Sequence, residues 1–362
     1  MRATVREALA RASEGGALAP EAEEAARAAL VKLTSGRMPW YLRVLIGAGA
    51  WIGASFLLSA ILSLILLAAG QQMNGVAVVI GVIFIIGSIP FRQRVTSPFG
   101  TQLALVISST GQILVIGGVG AEGRSVTAAS VAAILSSLVL IAWFPDRVQR
   151  FSATLVIFGA LAAVSIEQRI PHSMEAMILL AVALLLAWRL APRADVELQA
   201  ERLEPVVYGV AIALVGFLLT HTVIVVGEIL EMHWAGLGLV TIAGINLALL
   251  VLVAAIFLEH EVPLARPEAL GAFGLIILLG AITRSTPGVA ATLFLLVLGF
   301  DRRARGLMTL AITFFLFFGA AYYYDLRLTL LQKSGILVLS GVVCLAAWAV
   351  LRGTRSHASA SA

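Results

Sequence analysis

The chain has 362 residues, 60% of them hydrophobic and 12% charged, with mean hydropathy +1.01 and a formal net charge of +5. Soluble domains carry about 25% charged residues, so this composition excludes a water-soluble globule, and the apolar residues come in blocks as in membrane proteins. A single cysteine, Cys344, excludes an intrachain disulfide and a thiolate metal cluster, and no aromatic-interleaved basic stretch points to nucleic acid.

Residues 1–38 are polar and alanine-rich. REALARASE and EAEEAARAALVKL predict two short helices, broken at Gly15, Gly16 and Pro20. This segment reads as a cytoplasmic helical hairpin or tail. It lacks the basic-then-apolar order of a cleavable signal peptide.

A transmembrane domain is predicted over 39–352, with a disordered cytoplasmic tail at 353–362. Apolar runs fall near 42–69, 73–89, 101–121, 126–144, 151–168 and 174–191. They continue at 206–226, 235–258, 269–283, 288–300, 307–323 and 330–351. Bare backbone groups are costly in lipid, so such runs cross as helices. The expected fold is all-α, a bundle of about twelve spans. With an even number of crossings, all but five of the 25 basic residues fall on one side, the exceptions being Arg124, Arg169, Arg284, Arg327 and Lys333. The positive-inside rule makes that side cytoplasmic and puts both termini there, in a bacterial inner membrane.

The halves, about 39–192 and 205–352, share local patterns. Phe144-Pro145-Asp146-Arg147 pairs with Phe300-Asp301-Arg302, Glu167-Gln168-Arg169 with Asp325-Leu326-Arg327, and Phe56-Leu57-Leu58 with Phe217-Leu218-Leu219. The offsets suggest a 6+6 duplication with both halves in the same orientation.

In the third span the middle reads Ser108-Ser109-Thr110-Gly111-Gln112. Such residues at bilayer depth either line a cavity at a broken helix or bond back along the helix and pack on a neighbour. The ninth and tenth spans are short and flank Thr283-Arg284-Ser285-Thr286-Pro287-Gly288. Short, Gly/Pro-interrupted segments point to transporter sites, and Arg284 with Ser285, Thr286 and a helix start could hold an anion. The competing reading is a pair of short buried helices whose arginine snorkels.

His221, Glu228 and Glu231 form an outer-face polar cluster, to which Asp325, Arg327 and Lys333 are added from the chain's end. No zinc-ligand spacing occurs there, so no metal site is read from it. Gly118-Val119-Gly120-Ala121-Glu122-Gly123 fits the dinucleotide fingerprint in form, but it follows a membrane helix rather than a strand and reads as a turn. No catalytic motif and no cofactor-binding motif is found.

Tyr322-Tyr323-Tyr324-x-Leu326-x-x-Thr329-Leu330-Leu331-x-Lys333-Ser334-Gly335 is one further motif. Pro39-Trp40-Tyr41-x-Arg43 ahead of Gly47-Ala48-Gly49-Ala50-Trp51 is another. Together they resemble a bacterial membrane-protein family, domain of unknown function 4401. The resemblance implies a polytopic cytoplasmic-membrane protein, kept in company with other membrane proteins, one kind having a domain outside the cytoplasmic membrane. It implies no catalytic residue. Two functions are expected: from the duplicated layout and the short ninth and tenth spans, a transporter-like carrier of a small solute, anions included; from the scarcity of buried charge and the family's company, a scaffold binding another membrane or periplasmic protein. The bilayer is the partner common to both.

Overall fold

The computed structural model describes residues 40–69, 73–95, 97–191, 202–227, 238–283, 286–325 and 338. Among the described residues no strand occurs; eleven α-helices follow one another. They are α1 Trp40–Ala69, α2 Met73–Arg94, α3 Pro98–Gly123, α4 Val126–Trp143, α5 Arg147–Glu167 and α6 Ser173–Leu190. Then come α7 Glu204–Gly227, α8 Leu239–Glu259, α9 Pro267–Ile282, α10 Pro287–Asp301 and α11 Arg305–Asp325. Each coincides with one of the first eleven predicted spans. By length and composition eight of them, α1 to α8, can cross a membrane, and α9 to α11 carry shorter apolar stretches. The predicted hairpin at 1–38, the last span at 330–351 apart from Val338, and the tail at 353–362 lie outside the described residues.

Helix boundaries follow local chemistry. Ser97 accepts from the Gly100 N–H at 3.1 Å with Pro98 at the first helical position, and Ser125 accepts from Ala128 N–H at 3.2 Å. Asp146 accepts from Val148 N–H at 2.9 Å. These are ordinary N-caps; α9 and α10 open instead on Pro267 and Pro287 at the helix start, with no side-chain cap bond. Connections such as 124–125 and 302–304 are short, so neighbours run antiparallel. The C-terminal ends of α2, α4, α6, α8 and α10 therefore share one face with Arg92, Arg147, Arg189 and Arg305, the arginine-rich face.

Two bundles form. In the first, α3 packs on α1, α2 and α4. The α2–α3 pair closes through glycine. A Cβ on Gly111 would stand 2.8 Å from both the Gly81 carbonyl oxygen and Phe84 Cβ, and one on Gly118 would stand 2.8 Å from the Asn74 carbonyl oxygen. Small residues let the backbones touch, which matters because lipid tails are as apolar as leucine and association depends on dispersion. Gly118, part of the dinucleotide-like run, thus has a packing role inside a continuous helix.

The second bundle surrounds α10, which packs on α7, α8 and α11. Ala291, Thr292, Phe294, Leu295 and Leu298 of α10 are fully buried, against Leu214 and Leu218 of α7, Ile245 and Leu252 of α8 and Phe318 of α11. The bundles meet at α5 and α7, where Phe158 and Phe217 have ring centroids 6.0 Å apart and Gly209 lies under Thr154. By contrast, α9 packs mainly on α8 and exposes Leu270, Leu275, Ile277, Leu278 and Ile282.

Among the described residues, packing differs between the halves. α3 is central to its bundle while α9, its counterpart in chain order, lies at an edge. Phe144 is fully buried, whereas Phe300, at the matching sequence position, is 74% exposed.

The α2–α3 seam makes a stability prediction. Gly111→Ala should cost about 1–3 kcal/mol by overpacking. Gly87→Ala, where no atom lies within 4 Å of the new Cβ, should be neutral or stabilise by up to about 1 kcal/mol. Thermal unfolding of the detergent-solubilised full chain checks this, and equal midpoints for the two variants would contradict the close-packed seam.

Candidate functional site

The polar run of α3 sits in unbroken helix and is tied to its neighbours. Ser108 Oγ reaches the Leu105 carbonyl at 2.9 Å and Gln149 Oε1 at 3.0 Å, and Ser109 Oγ donates to the same Oε1 at 3.3 Å. One turn on, Gln112 Nε2 donates to Ser137 Oγ at 2.7 Å and lies 3.4 Å from Ser136 Oγ. Ser108 and Gln112 share a helix face because they are four residues apart. Ser108 and Ser137 are fully buried, Gln149 is 1% exposed and Gln112 5%. Thr110 is half-buried. The result is an uncharged amide–hydroxyl seam where α3, α4 and α5 meet. Gln149 Nε2 is buried and has no hydrogen-bond partner among the described residues.

Charges bound this seam on the arginine-rich face. Arg92 Nη2 lies 3.2 Å from Asp146 Oδ2, and Arg92 Nε donates to the same oxygen at 3.3 Å. Arg150, 5% exposed, donates from Nε to the Ile141 carbonyl at 3.1 Å, in the last turn of α4.

The two parts of the site expected from sequence are not brought together. α3 belongs to the first bundle, whereas Thr286 opens α10 at the heart of the second. Thr283 and Thr286 are buried, the Thr286 N–H donates to the Thr283 carbonyl at 2.9 Å, and Thr283 Oγ1 donates back to Leu279 at 2.8 Å. Arg284 and Ser285 lie outside the described residues. Since α9 barely touches α10, the pair is not a close-packed hairpin.

On the opposite face, carboxylates sit at helix N-termini. Glu167 accepts from Val126 N–H at 3.1 Å and from Thr127 Oγ1, at the start of α4. Glu175 lies against Gly238 and accepts from Thr241 Oγ1 at 3.0 Å, at the start of α8, and lies 2.8 Å from His172 Nδ1. His221, 8% exposed, is within electrostatic reach of Glu175. Of the other residues in the outer cluster, Asp325 closes α11, while Glu228, Glu231, Arg327 and Lys333 lie outside the described residues. Among the described residues no group of three or more His, Cys, Asp or Glu side chains could hold a metal ion.

Sequence reasoning missed the strongest charged cluster. Arg189, 7% exposed in the last turn of α6, pairs through Nε with Asp301 Oδ2 at 2.5 Å and through Nη2 with Asp301 Oδ1 at 3.1 Å. The same Nη2 meets Glu259 Oε2 at 2.6 Å. Arg302 donates to the carbonyls of Trp188 and Arg189 at 2.6 and 2.7 Å and lies 4.9 Å above the Trp188 ring. The C-terminal ends of α6, α8 and α10 meet here. Helix C-termini carry negative partial charge, and two acids add to it, so the two guanidinium groups hold the junction together. The available signal was an arginine in the last turn of an apolar helix.

Helices of this length and composition, packed as an all-helical chain, define a polytopic membrane protein. Residues 39–353 match the family described as Domain of unknown function (DUF4401), and the chain belongs to that family. No curated protein and no solved structure matches the chain.

The Arg189 junction gives a second prediction. Arg189→Met takes the arginine from buried Asp301 and should cost about 3–5 kcal/mol. The double variant Arg189→Met, Asp301→Leu should recover most of that loss in thermal unfolding. A single variant as stable as wild type would contradict the junction.

Proposed function

We propose that the chain is a carrier for a small polar solute across a bacterial cytoplasmic membrane, working without ion coupling. The observation that supports this reading is the amide–hydroxyl seam of Ser108, Ser109, Gln112, Ser136, Ser137 and Gln149, buried except for half-buried Ser109, in which Gln149 Nε2 has no partner among the described residues. Polar groups buried inside a membrane bundle are costly and often line substrate paths. Among the described residues every acid stands near a helix end or in a connection. Proton or sodium coupling usually places an acid at mid-membrane, which favours an uncoupled carrier. An anionic solute would be held by Arg284 with Ser285 and Thr286, near the start of α10. The excess of basic residues on one face argues for cytoplasmic N- and C-termini.

The second reading is a non-transporting scaffold for another membrane or periplasmic protein. It draws support from the ion pairs and caps at both faces, which tie helix ends together as a rigid frame would. No catalytic role is proposed for either reading.

The test is flux in proteoliposomes holding the full-length chain. Glycerol and urea entry followed by light scattering, with phosphate and lactate uptake as the anionic arm, should exceed that of protein-free vesicles for at least one solute. Arg284→Ala should slow the anions selectively if they are the cargo. No flux above protein-free vesicles for any of the four, together with a stoichiometric partner on purification from native membranes, would replace the carrier with the scaffold.

A further inference from the structure

Gln149 stands out among the buried polar groups. Its side chain is 1% exposed, its Oε1 faces two serine hydroxyls, and its Nε2 faces no acceptor among the described residues. Buried amides are normally paired, so this one asks for a partner. Turning the amide over does not supply one. Nε2 would then donate to the serines and Oε1 would be left bare. Ser108 tolerates either arrangement, because its single hydroxyl hydrogen can go to the Leu105 carbonyl at 2.9 Å while its oxygen accepts.

We propose that the far end of the Gln149 amide is a binding point for one hydroxyl group of a small uncharged molecule. A hydroxyl both donates and accepts, so it satisfies the amide in either orientation, which neither a pure acceptor nor a pure donor does. Neutrality follows from the surroundings. The seam itself is built of hydroxyls and amides, and the nearest acid and base along α5 are already engaged, Asp146 by Arg92 and Arg150 by the Ile141 carbonyl. A bare ion there would give up its hydration and find its nearest charged neighbours already engaged. Water and a small polyol share this chemistry. The inference rests on the carrier reading only for the polyol as cargo; the binding point itself stands apart from it.

The experiment is an experimental map of the full-length chain in nanodiscs, sharp enough to show ordered water, with and without glycerol, for wild type and Gln149→Met. The expected result is a non-protein oxygen within about 2.7–3.2 Å of the free amide atom in wild type, absent in Gln149→Met. Glycerol density there identifies a polyol site, and an isolated oxygen unchanged by glycerol identifies a water site. A dry wild-type seam, with apolar side chains closed over the amide, would overturn the proposal. Flux separates the two claims: bound glycerol without glycerol entry into proteoliposomes keeps the binding point and removes the carrier.

Discussion

Each helix leaves four N–H groups and four carbonyls unpaired at its ends, and lipid offers them nothing. That constraint decides where this chain keeps its few charges. At the face opposite the arginines, Glu167 and Glu175 reach across to the starts of α4 and α8. At the arginine-rich face, Arg150 and Arg302 reach across to the last turns of α4 and α6. Each charge has the sign that the helix dipole calls for. In each case the charge comes from a different helix than the one it caps, so the same bond that satisfies an end also fixes a neighbour. Tyr208 of α7 brings its hydroxyl up against Gly306 at the start of α11 without carrying a charge.

Between the faces the bundle depends on shape. Gly81, Gly111 and Gly118 bring α2 and α3 to backbone contact, and the ring of Phe318 fills the space left by Gly288 on α10. The largest core gathers around α10, a 15-residue helix enclosed by longer ones. At about 1.5 Å per residue it spans about 22 Å, less than the hydrocarbon thickness. Its end at the arginine-rich face is held by the Asp301–Arg189 pair and its start lies beside buried threonines. A short helix is tolerated there because protein surrounds it, where the same helix facing lipid would leave its ends in hydrocarbon.

Much of this frame could be read from residues in order. Apolar blocks between Gly, Pro and Arg fix helices to within a few residues, because in lipid a long apolar run has few alternatives to a helix. The polar seam was half legible. Ser108 and Gln112 declare a shared face by their spacing, but Gln149, Ser136 and Ser137 are isolated polar residues whose meaning depends on which helix they meet. Arg189 looked like one more basic residue near a loop, and only the convergence of α6, α8 and α10 buries it. Likewise, the matched Phe144 and Phe300 have opposite surroundings, since local sequence likeness does not set a helix's place in a bundle. Chain order likewise puts α3 and α9–α10 at equivalent positions, whereas packing puts them in separate bundles.

The central claim is that the carboxylate-capped ends and the arginine-capped ends lie on opposite sides of a membrane. Single cysteines in a Cys344→Ser background test it most directly: Glu122→Cys and Ile170→Cys for one face, Arg147→Cys and Arg305→Cys for the other, each at an exposed position. With a membrane-impermeant thiol reagent on sealed cells, one pair should label at once and the other only after permeabilisation. Labelling of all four from the same side would contradict the account.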